Sequence, residues 1–240
     1  MKLKLLIILL LSSQFVISQE NRQYMGLAAG PSFPLSDFRK TDLNDSTSGW
    51  AKTGIALEFT YSYRLTHNFG LQLLINYSSN KFDNFRYGDA LTAAHSLDDS
   101  SQDTSFSVES SNNWSSGGLL IGPFLRFPLS ESLSWDIKAS VGFFGVSSPT
   151  ALIYGAISTG EKLEEYYRQR GRGYGFAYSL GTGFKYKLSK YYLLLFTNYY
   201  NSSVKIDNVS GWDWNSEPYI TSFKQNVSYM SVTFGAGYFF

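Results

Sequence analysis

The chain lacks cysteine altogether and has only two histidines among its 240 residues. Disulfides and thiolate metal sites are therefore excluded, and histidine and carboxylates are the only strong metal ligands left. Neither sign of charge predominates, because the formal net charge is +1. The electrostatics of the chain therefore give no reason to expect nucleic-acid binding. Proline is sparse, whereas aromatic residues make up 18% of the chain. This composition favours an all-β protein with apolar surface to cover.

The first residues have the order of a secretory signal peptide. Lys2 and Lys4 form a basic start, residues 5–11 form an apolar core, and the small Ser18 precedes a plausible cleavage point. The apolar core is too short for a transmembrane helix, which needs about 20 residues. We therefore predict a signal peptide over residues 1–18 and one mature domain over residues 19–240.

The rest of the chain alternates bulky apolar residues with small or polar ones, which is the period of β-strands. A hairpin of two such strands, joined by a short turn, occurs three times. One further strand at each end brings the predicted total to eight. The predicted strands lie near residues 26–33, 54–64, 69–77, 119–127, 135–143, 174–187, 191–200 and 227–240.

Short turns and long polar segments alternate strictly between these strands. The long segments cover residues 35–53, 80–116, 147–173 and 204–226. This order is typical of outer-membrane barrels, which have short periplasmic turns and long external loops. The apolar stripes are bulky and the other stripes are mainly Gly, Ala, Ser and Thr, which suits lipid outside and a narrow lumen inside. A lipocalin-like soluble barrel is the alternative.

We therefore predict an eight-stranded antiparallel up-and-down transmembrane β-barrel in the outer membrane of a Gram-negative bacterium. The facing of residues 191–200 stays open, because both of their faces are apolar. Aromatic residues near the strand ends would form the interfacial rings. We assign Tyr63, Phe69, Phe127, Trp135, Tyr186 and Tyr238 to the periplasmic ring, and Tyr77 and Tyr174 to the outer ring, with Trp50 and Trp114 beside them.

Four segments carry a resemblance to a known group: GLAAGPSF, GIALEFTYSYRL, FGLQLLINYS and the closing VTFGAGYFF. The chain resembles eight-stranded barrels of the OmpX and OmpA kind. It looks most like the outer membrane protein beta-barrel domain family of Bacteroidetes, which includes porin-family and PorT-like proteins. The resemblance implies that the terminal aromatic residues Phe234, Tyr238 and Phe240 are the signal read by the barrel-assembly machinery.

Charged residues on the inward stripes should meet in the lumen, where they must pair or contact water. They could form an ion path, or a salt-bridge plug that stiffens the barrel. We favour the plug, because eight strands leave little free bore. The predicted network consists of Glu58, Arg126, Asp136, Lys138, Lys185 and Lys187.

Evidence for catalysis is confined to His95, which has Ser96, Asp98 and Asp99 nearby. Such a cluster would suit a hydrolase only if it lay at the outer end of a strand. One histidine with nearby aspartates also lacks the spacing of a metal-ligand set. We therefore expect no enzyme activity, no cofactor and no metal.

The long loops are the expected functional surface. Arg168, Arg170 and Arg172 are candidates to contact lipopolysaccharide phosphates or the acidic second loop, and helical charge spacing predicts a short helix in the middle of the third loop. Trp212 and Trp214 suit a partner or a sugar, or packing against neighbouring loops.

From these features we expect a non-enzymatic barrel that either has a structural role or binds a surface glycan or protein. Association with a secretion or surface-assembly system is one form that this role would take. The alternatives are a narrow channel for ions or small solutes and, less favoured, a lipid- or peptide-modifying enzyme. The expected partners are outer-membrane lipid and lipopolysaccharide, the barrel-assembly machinery and a surface or secretion-system protein, with no nucleic acid.

Overall fold

Eleven strands and two helices make up the part of the chain that the structure describes. The structure is a computed structural model that describes residues 22–98, 104–157 and 162–240. The signal peptide lies outside these residues and stays a prediction. The strands are β1 (Gln23–Pro34), β2 (Ala51–Arg64), β3 (Phe69–Phe82), β4 (Thr104–Glu109), β5 (Trp114–Pro128), β6 (Leu133–Ser147), β7 (Ala151–Ile157), β8 (Lys162–Arg168), β9 (Arg172–Leu188), β10 (Tyr191–Trp212) and β11 (Pro218–Phe239); the helices are α1 (Ser36–Arg39) and α2 (Asn84–Asp98).

Eight of these strands close into a ring, as predicted. Their order is β1-β2-β3-β5-β6-β9-β10-β11, and β11 returns to pair with β1. All pairings are antiparallel, and the closing pair is in register from Tyr24 opposite Phe239 to Pro34 opposite Tyr229. Closure leaves no open sheet edge around the ring, which is the condition for strands to cross lipid.

The two faces of the barrel are those that the alternation predicts. Bulky apolar side chains point outward: Leu27 is 66% exposed and Phe143 is 71% exposed. Ala56 and Ser62, from the other stripe, are fully buried inside. Because an exposed belt of this kind would be unfavourable in water, it indicates a barrel surrounded by lipid. No helix among the described residues is long and apolar enough to span a membrane.

The register decides the facing of β10, which the sequence left open. Tyr192, Leu194 and Phe196 point into the lumen and are buried. Tyr192 lies beside Gly237 of β11, which in turn lies beside Gly26 of β1. A Cβ atom added at Gly26 would stand 2.6 Å from the Tyr192 hydroxyl oxygen, and one added at Gly237 would overlap the tyrosine outright. Two glycines on neighbouring strands therefore make the space for this ring.

Outside the membrane belt, the long loops form an ordered extracellular cap. We define the cap as α1, α2, β4, β7, β8, the loops joining them and the outer ends of β10 and β11. The end of β10 pairs with β8, β8 with β7, and β7 with β4. Helix α2 covers the free edge of β4, where the Phe106 N–H donates to the Thr92 hydroxyl (2.9 Å). An exposed strand edge is thereby avoided.

The cap overturns one prediction, the short helix in the middle of the third loop. That region forms β7 and β8 instead, while a helix lies in the second loop. Helical charge pairs contribute only about 0.2–0.5 kcal/mol each. Pairing with β10 and β4, together with burial of Ile153, outweighs them.

Two apolar clusters fill the inside of the molecule. The lower cluster lies at the periplasmic end and consists of Tyr24, Ala28, Phe124, Tyr192, Leu194, Phe196 and Phe239. The upper cluster joins the outer half of the lumen to the cap; its largest members include Phe38, Trp50, Trp114, Phe144, Tyr200 and Tyr229. The lumen is thus a packed core, and charged groups occupy the region between and beside the clusters.

Candidate functional sites in the lumen and the extracellular cap

Asp136 lies at the centre of the first charged group of the lumen. Its carboxylate accepts from Arg126 through Nε at 3.1 Å and Nη2 at 3.2 Å, and the Lys185 ammonium lies 2.8 Å away. All three side chains are buried. The Lys185 ammonium also lies 3.6 Å from the centre of the Tyr24 ring, so the cation is held by a carboxylate and an aromatic face.

Glu58 forms a second, separate group higher in the barrel. Its carboxylate accepts from the Asn198 amide at 2.8 Å, the Tyr200 hydroxyl at 2.9 Å and the Ser231 hydroxyl at 2.7 Å. The Lys138 ammonium lies 4.2 Å from the centre of the Phe196 ring. Neutral donors therefore satisfy this buried carboxylate in place of an ion pair.

The six residues of the predicted network therefore do not form one connected group. Arg126, Asp136 and Lys185 are joined directly, whereas Glu58 has its own hydroxyl and amide donors. Lys187 is exposed at the periplasmic mouth, 6.0 Å from the Phe239 ring centre.

The lumen is closed at mid-height. The cavity between the two charged groups, lined by Glu58, Lys138, Lys185 and Tyr192 among others, has a volume of about 10 Å³. A cavity needs about 10–15 Å³ to hold one water molecule. At this height the described residues therefore leave room for about one water molecule.

The cap contains a pocket, which we call the cap pocket, of about 270 Å³. Its walls come from the first loop, α2, β8 and the outer part of β11. The lining residues are Asp42, Leu43, Asp45, Ser46, Ser48, Gly49, Trp50, Phe82, Tyr87, Trp114, Tyr166, Arg168, Thr221, Phe223 and Gln225.

Hydrogen bonds hold the first loop in place as one wall of the cap pocket. The Trp114 indole N–H donates to the Gly49 carbonyl (2.7 Å), and the Gln225 amide donates to the Thr47 carbonyl (2.9 Å). Trp50 has a positive φ of 52°, a conformation that costs about 1–3 kcal/mol outside glycine. Its N–H and C=O bond to Lys40 and Asp83, respectively, at 3.0 and 2.8 Å, which maintains the strained position.

The cap pocket combines aromatic faces with charged and hydroxyl groups. Arg168 stacks on Phe223, with the guanidinium carbon 5.3 Å from the ring centre, and its buried Nε has no hydrogen-bond partner among the described residues. Burial raises the pKa of the Tyr87 hydroxyl, which keeps it a neutral donor. The hydrogen bond from Lys40 lowers the pKa of Asp45, which keeps that carboxylate charged.

The other candidate loop residues lie outside the cap pocket lining. The Arg170 guanidinium donates to the Ser115 hydroxyl at 2.8 Å, and Arg172 is exposed at the start of β9. Trp212 stacks on Tyr167 at 4.3 Å between ring centres, and Trp214 packs on Phe106 and Tyr166. The two tryptophans therefore pack within the cap.

Trp50 and Trp114 are not in the outer aromatic ring, and that prediction is wrong. Both are buried in the upper cluster, where Trp50 packs on Tyr87 and Trp114 on Phe38. The first and second loops fold over these indoles, so packing inside the cap replaces contact with lipid headgroups.

His95 does not join a described catalytic set. Its ring packs on Phe106, with 5.5 Å between ring centres, whereas Asp99 and the side chains of Ser96 and Asp98 lie outside what the structure describes. Within the described ranges, no group of three or more His, Cys, Asp and Glu residues could hold a metal ion.

The sequence analysis singled out only Trp50, Trp114 and Arg168 of the cap pocket lining, and it missed Tyr87, Tyr166, Phe223 and Gln225 among others. No motif marks them, since they come from α2, β8 and β11. The local sequence around Tyr166, EEYYR, does not alternate apolar and polar residues and so gives no signal of a strand.

A closed ring of eight antiparallel strands, an exposed apolar belt and a cap on the long-loop side define an integral outer-membrane β-barrel. No protein-family model matches the chain, and no curated protein matches it. Among solved structures, a major outer membrane protein from Thermus thermophilus is similar in fold, with a TM-score of 0.51, 12% identity and coverage of 91% of this chain and 99% of the other.

Two further structures resemble the chain more weakly. Neisserial surface protein A has a TM-score of 0.43 at 13% identity, over 91% of this chain and 97% of the other. Ail, the attachment invasion locus protein of Yersinia pestis, has a TM-score of 0.42 at 13% identity, over 91% and 99%. At these identities the likeness concerns the fold alone.

Proposed function

We propose that this protein is a non-enzymatic outer-membrane barrel that binds a surface glycan in the cap pocket. The observation that carries the proposal is the combination in one pocket of aromatic faces with the Arg168 guanidinium, whose Nε has no hydrogen-bond partner among the described residues. Aromatic rings accommodate the apolar faces of sugar rings, while arginine, carboxylates and hydroxyls provide hydrogen bonds to sugar hydroxyls.

The size of the cap pocket favours one end of a glycan over a large ligand. Its volume of about 270 Å³ lies just below the range of about 300–1,000 Å³ that is usual for drug-sized ligands. A terminal sugar unit would fit, with the rest of the chain outside. The described lining residues include serines and aspartates but no histidine, so they favour binding over Ser–His hydrolysis.

The lumen supports a structural plug better than a channel. The Arg126–Asp136–Lys185 group and the two apolar clusters occupy the bore. In the same proposal, Phe234, Tyr238 and Phe240 are the segment that the barrel-assembly machinery reads, and lipopolysaccharide surrounds the outer belt. We also propose that the protein is related to the Bacteroidetes porin-family group and that it is associated with a secretion system.

A binding experiment with two matched arginine variants tests the glycan site. Arg168→Gln removes the charge inside the cap pocket, and Arg172→Gln removes the same charge from an exposed position outside its lining. Wild type and variants, refolded in detergent, are screened against oligosaccharides released from bacterial surface polysaccharides and lipopolysaccharide. A charged hydrogen bond contributes about 1.5–3 kcal/mol, so we expect Arg168→Gln to weaken binding about 10- to 100-fold.

The control separates the pocket from general surface charge. Binding should be unchanged in Arg172→Gln, and the ligand should perturb the fluorescence of the pocket tryptophans. Equal loss in both variants, or binding that is indifferent to Arg168, would contradict the proposed site.

A further inference from the structure

A groove crosses the lipid-facing surface where β11, β1, β2 and β3 lie side by side, and we call it the lipid groove. It has a volume of about 470 Å³. Ala29 lies directly between Phe234 of β11 and Leu57 of β2, and Leu57 in turn lies opposite Tyr77 of β3. One small side chain among three large ones therefore makes a recess in the apolar belt. The outward-facing walls include Leu27, Ala29, Leu57, Ile75, Tyr77 and Phe234.

The chemistry of the lipid groove matches an acyl chain. Its outward walls are apolar and exposed, as shown by Leu27 at 66% and Phe234 at 61%. The groove lies within the belt, where lipid and not water covers the barrel. Its volume of about 470 Å³ falls within the range of about 300–1,000 Å³ that is usual for ligand sites. An acyl chain is the occupant whose polarity and shape fit such a recess.

Three cations lie just beyond the lipid groove, at the outer ends of the same strands. Lys81 is exposed on the same stripe of β3 as Tyr77, about 13 Å farther along the strand. Lys52 of β2 and Arg86 of α2 have side chains that are 55% and 69% exposed. We call Lys52, Lys81 and Arg86 the cationic corner. Its position is that of the lipid headgroups on the long-loop side of the belt.

Acidic residues neutralise part of the cationic corner but leave Lys81 over. The buried Asp83 carboxylate lies 3.6 Å from the Lys52 ammonium and 3.7 Å from the Arg86 Nε. Asp89 is exposed one turn farther along α2. Even when both aspartates are counted against the three cations, one positive charge remains. Since Lys81 takes part in neither ion pair of Asp83, its ammonium is the group that is open to an external anion.

An exposed aromatic ring lies beside the cationic corner. Phe85 is 77% exposed in the first turn of α2, next to Arg86. A large apolar side chain in this position is unfavourable in water, whereas apolar residues of interfacial helices enter the headgroup region of a membrane. The ring and the cations together therefore suit a lipid headgroup better than bulk solvent.

We propose that the lipid groove and the cationic corner together bind one molecule of lipid A, the acylated phosphosugar of lipopolysaccharide. An acyl chain lies in the groove, and a phosphate accepts a charged hydrogen bond from Lys81, whose long side chain can reach down toward the headgroup. The inference deepens the proposal that lipopolysaccharide surrounds the belt, because it gives this lipid a preferred place. It does not depend on glycan binding in the cap pocket.

Native mass spectrometry of the full barrel in an uncharged detergent, titrated with purified lipid A, tests the site. Lys81→Gln removes the phosphate contact, and its control Lys224→Gln removes the same charge from an exposed position on β11. Ala29→Leu fills the lipid groove, and its control Ala139→Leu adds the same bulk to the lipid face of β6, beside the exposed Leu180. Each variant is first checked for heat-modifiable gel mobility, which reports a folded barrel.

The two parts of the site should respond differently. One basic residue near a membrane surface strengthens binding of anionic lipid about fivefold. We therefore expect Lys81→Gln to weaken lipid A binding about fivefold and to reduce the preference for lipid A over its dephosphorylated form, while Lys81→Arg restores both. Ala29→Leu should weaken binding of both forms alike, because it acts on the acyl chain. The two controls should bind as the wild type does.

Three results would overturn the inference. The first is that the wild type retains no lipid A. The second is that each variant and its control have equal effects, which would mean that lipopolysaccharide surrounds the belt without a preferred place. The third is that the wild type retains phosphatidylglycerol more strongly than lipid A, which would assign the site to a glycerophospholipid. None of these results bears on the cap pocket, whose test uses oligosaccharides and Arg168.

Discussion

Replacing Asp136 with asparagine should destabilise the barrel more than any change to an exposed charge. The asparagine keeps the shape of the side chain but loses the negative charge that Arg126 and Lys185 share at 3.1, 3.2 and 2.8 Å. Two cations would then remain together in a buried position. The Tyr24 ring beside Lys185 offsets only part of that loss.

The expected size follows from the burial of the group. Removing one partner of a buried ion pair costs about 3–5 kcal/mol. Arg126 and Lys185 also line a cavity at the periplasmic end of the barrel, where water can reach them, so we expect the lower end of this range, about 3 kcal/mol. A change of that size lowers the ratio of folded to unfolded protein by roughly a hundredfold.

The assay is reversible unfolding of the barrel by guanidinium in lipid vesicles. Unfolding is monitored by tryptophan fluorescence and by the mobility of unheated samples in gels. The matched control is Asp207→Asn, which breaks the exposed Lys205–Asp207 pair at 2.8 Å and should change stability little. If Asp136→Asn unfolds at the same guanidinium concentration as the wild type, with an unchanged slope, the carboxylate does not hold the lumen together and the reasoning is refuted.

Three further predictions follow from the packing of the barrel. Gly237→Ala should lower the free energy of unfolding by about 1–3 kcal/mol or more, because the added Cβ would overlap the Tyr192 ring. The control Gly145→Ala should unfold like the wild type, because its added Cβ would meet only the exposed Tyr174 ring, at 3.1 Å. Equal effects of the two substitutions would contradict the packing of Tyr192 on Gly237. Deleting Phe240 should lower the amount of barrel inserted in cells while leaving the unfolding midpoint of refolded protein nearly unchanged; normal membrane levels would contradict an insertion signal. Purified protein should show no steady single-channel openings in planar bilayers, whereas regular openings would show that the plug is wrong.

Much of the barrel was predictable because its determinants are local. The side chains of a strand alternate between two faces, so the bulky stripe at Leu27 and the small stripe at Ala56 each indicate a face without knowledge of any neighbour. Turn and loop lengths then indicate which end of each strand faces the periplasm. These features depend on residues close together in the chain, and the structure confirms the eight strands and their facing.

Other features depend on contacts between residues that are far apart in the chain. Strand β10 is apolar on both faces, and Tyr192 points inward because Gly237 and Gly26 leave room for its ring. Likewise, Glu58 bonds with Tyr200, 142 residues away, while Asp136 takes the two cations. No local pattern distinguishes these two carboxylates.

The cap was the least predictable part for the same reason. Its polar loops become strands only because the end of β10 offers main-chain groups to β8, and β8 and β7 then extend the sheet. The barrel in lipid was predictable from the sequence, since bulky and small stripes alternate along each strand and short turns alternate with long loops. The packing of the lumen and the assembly of the cap pocket follow only from the folded chain, since each needs side chains from several strands at once.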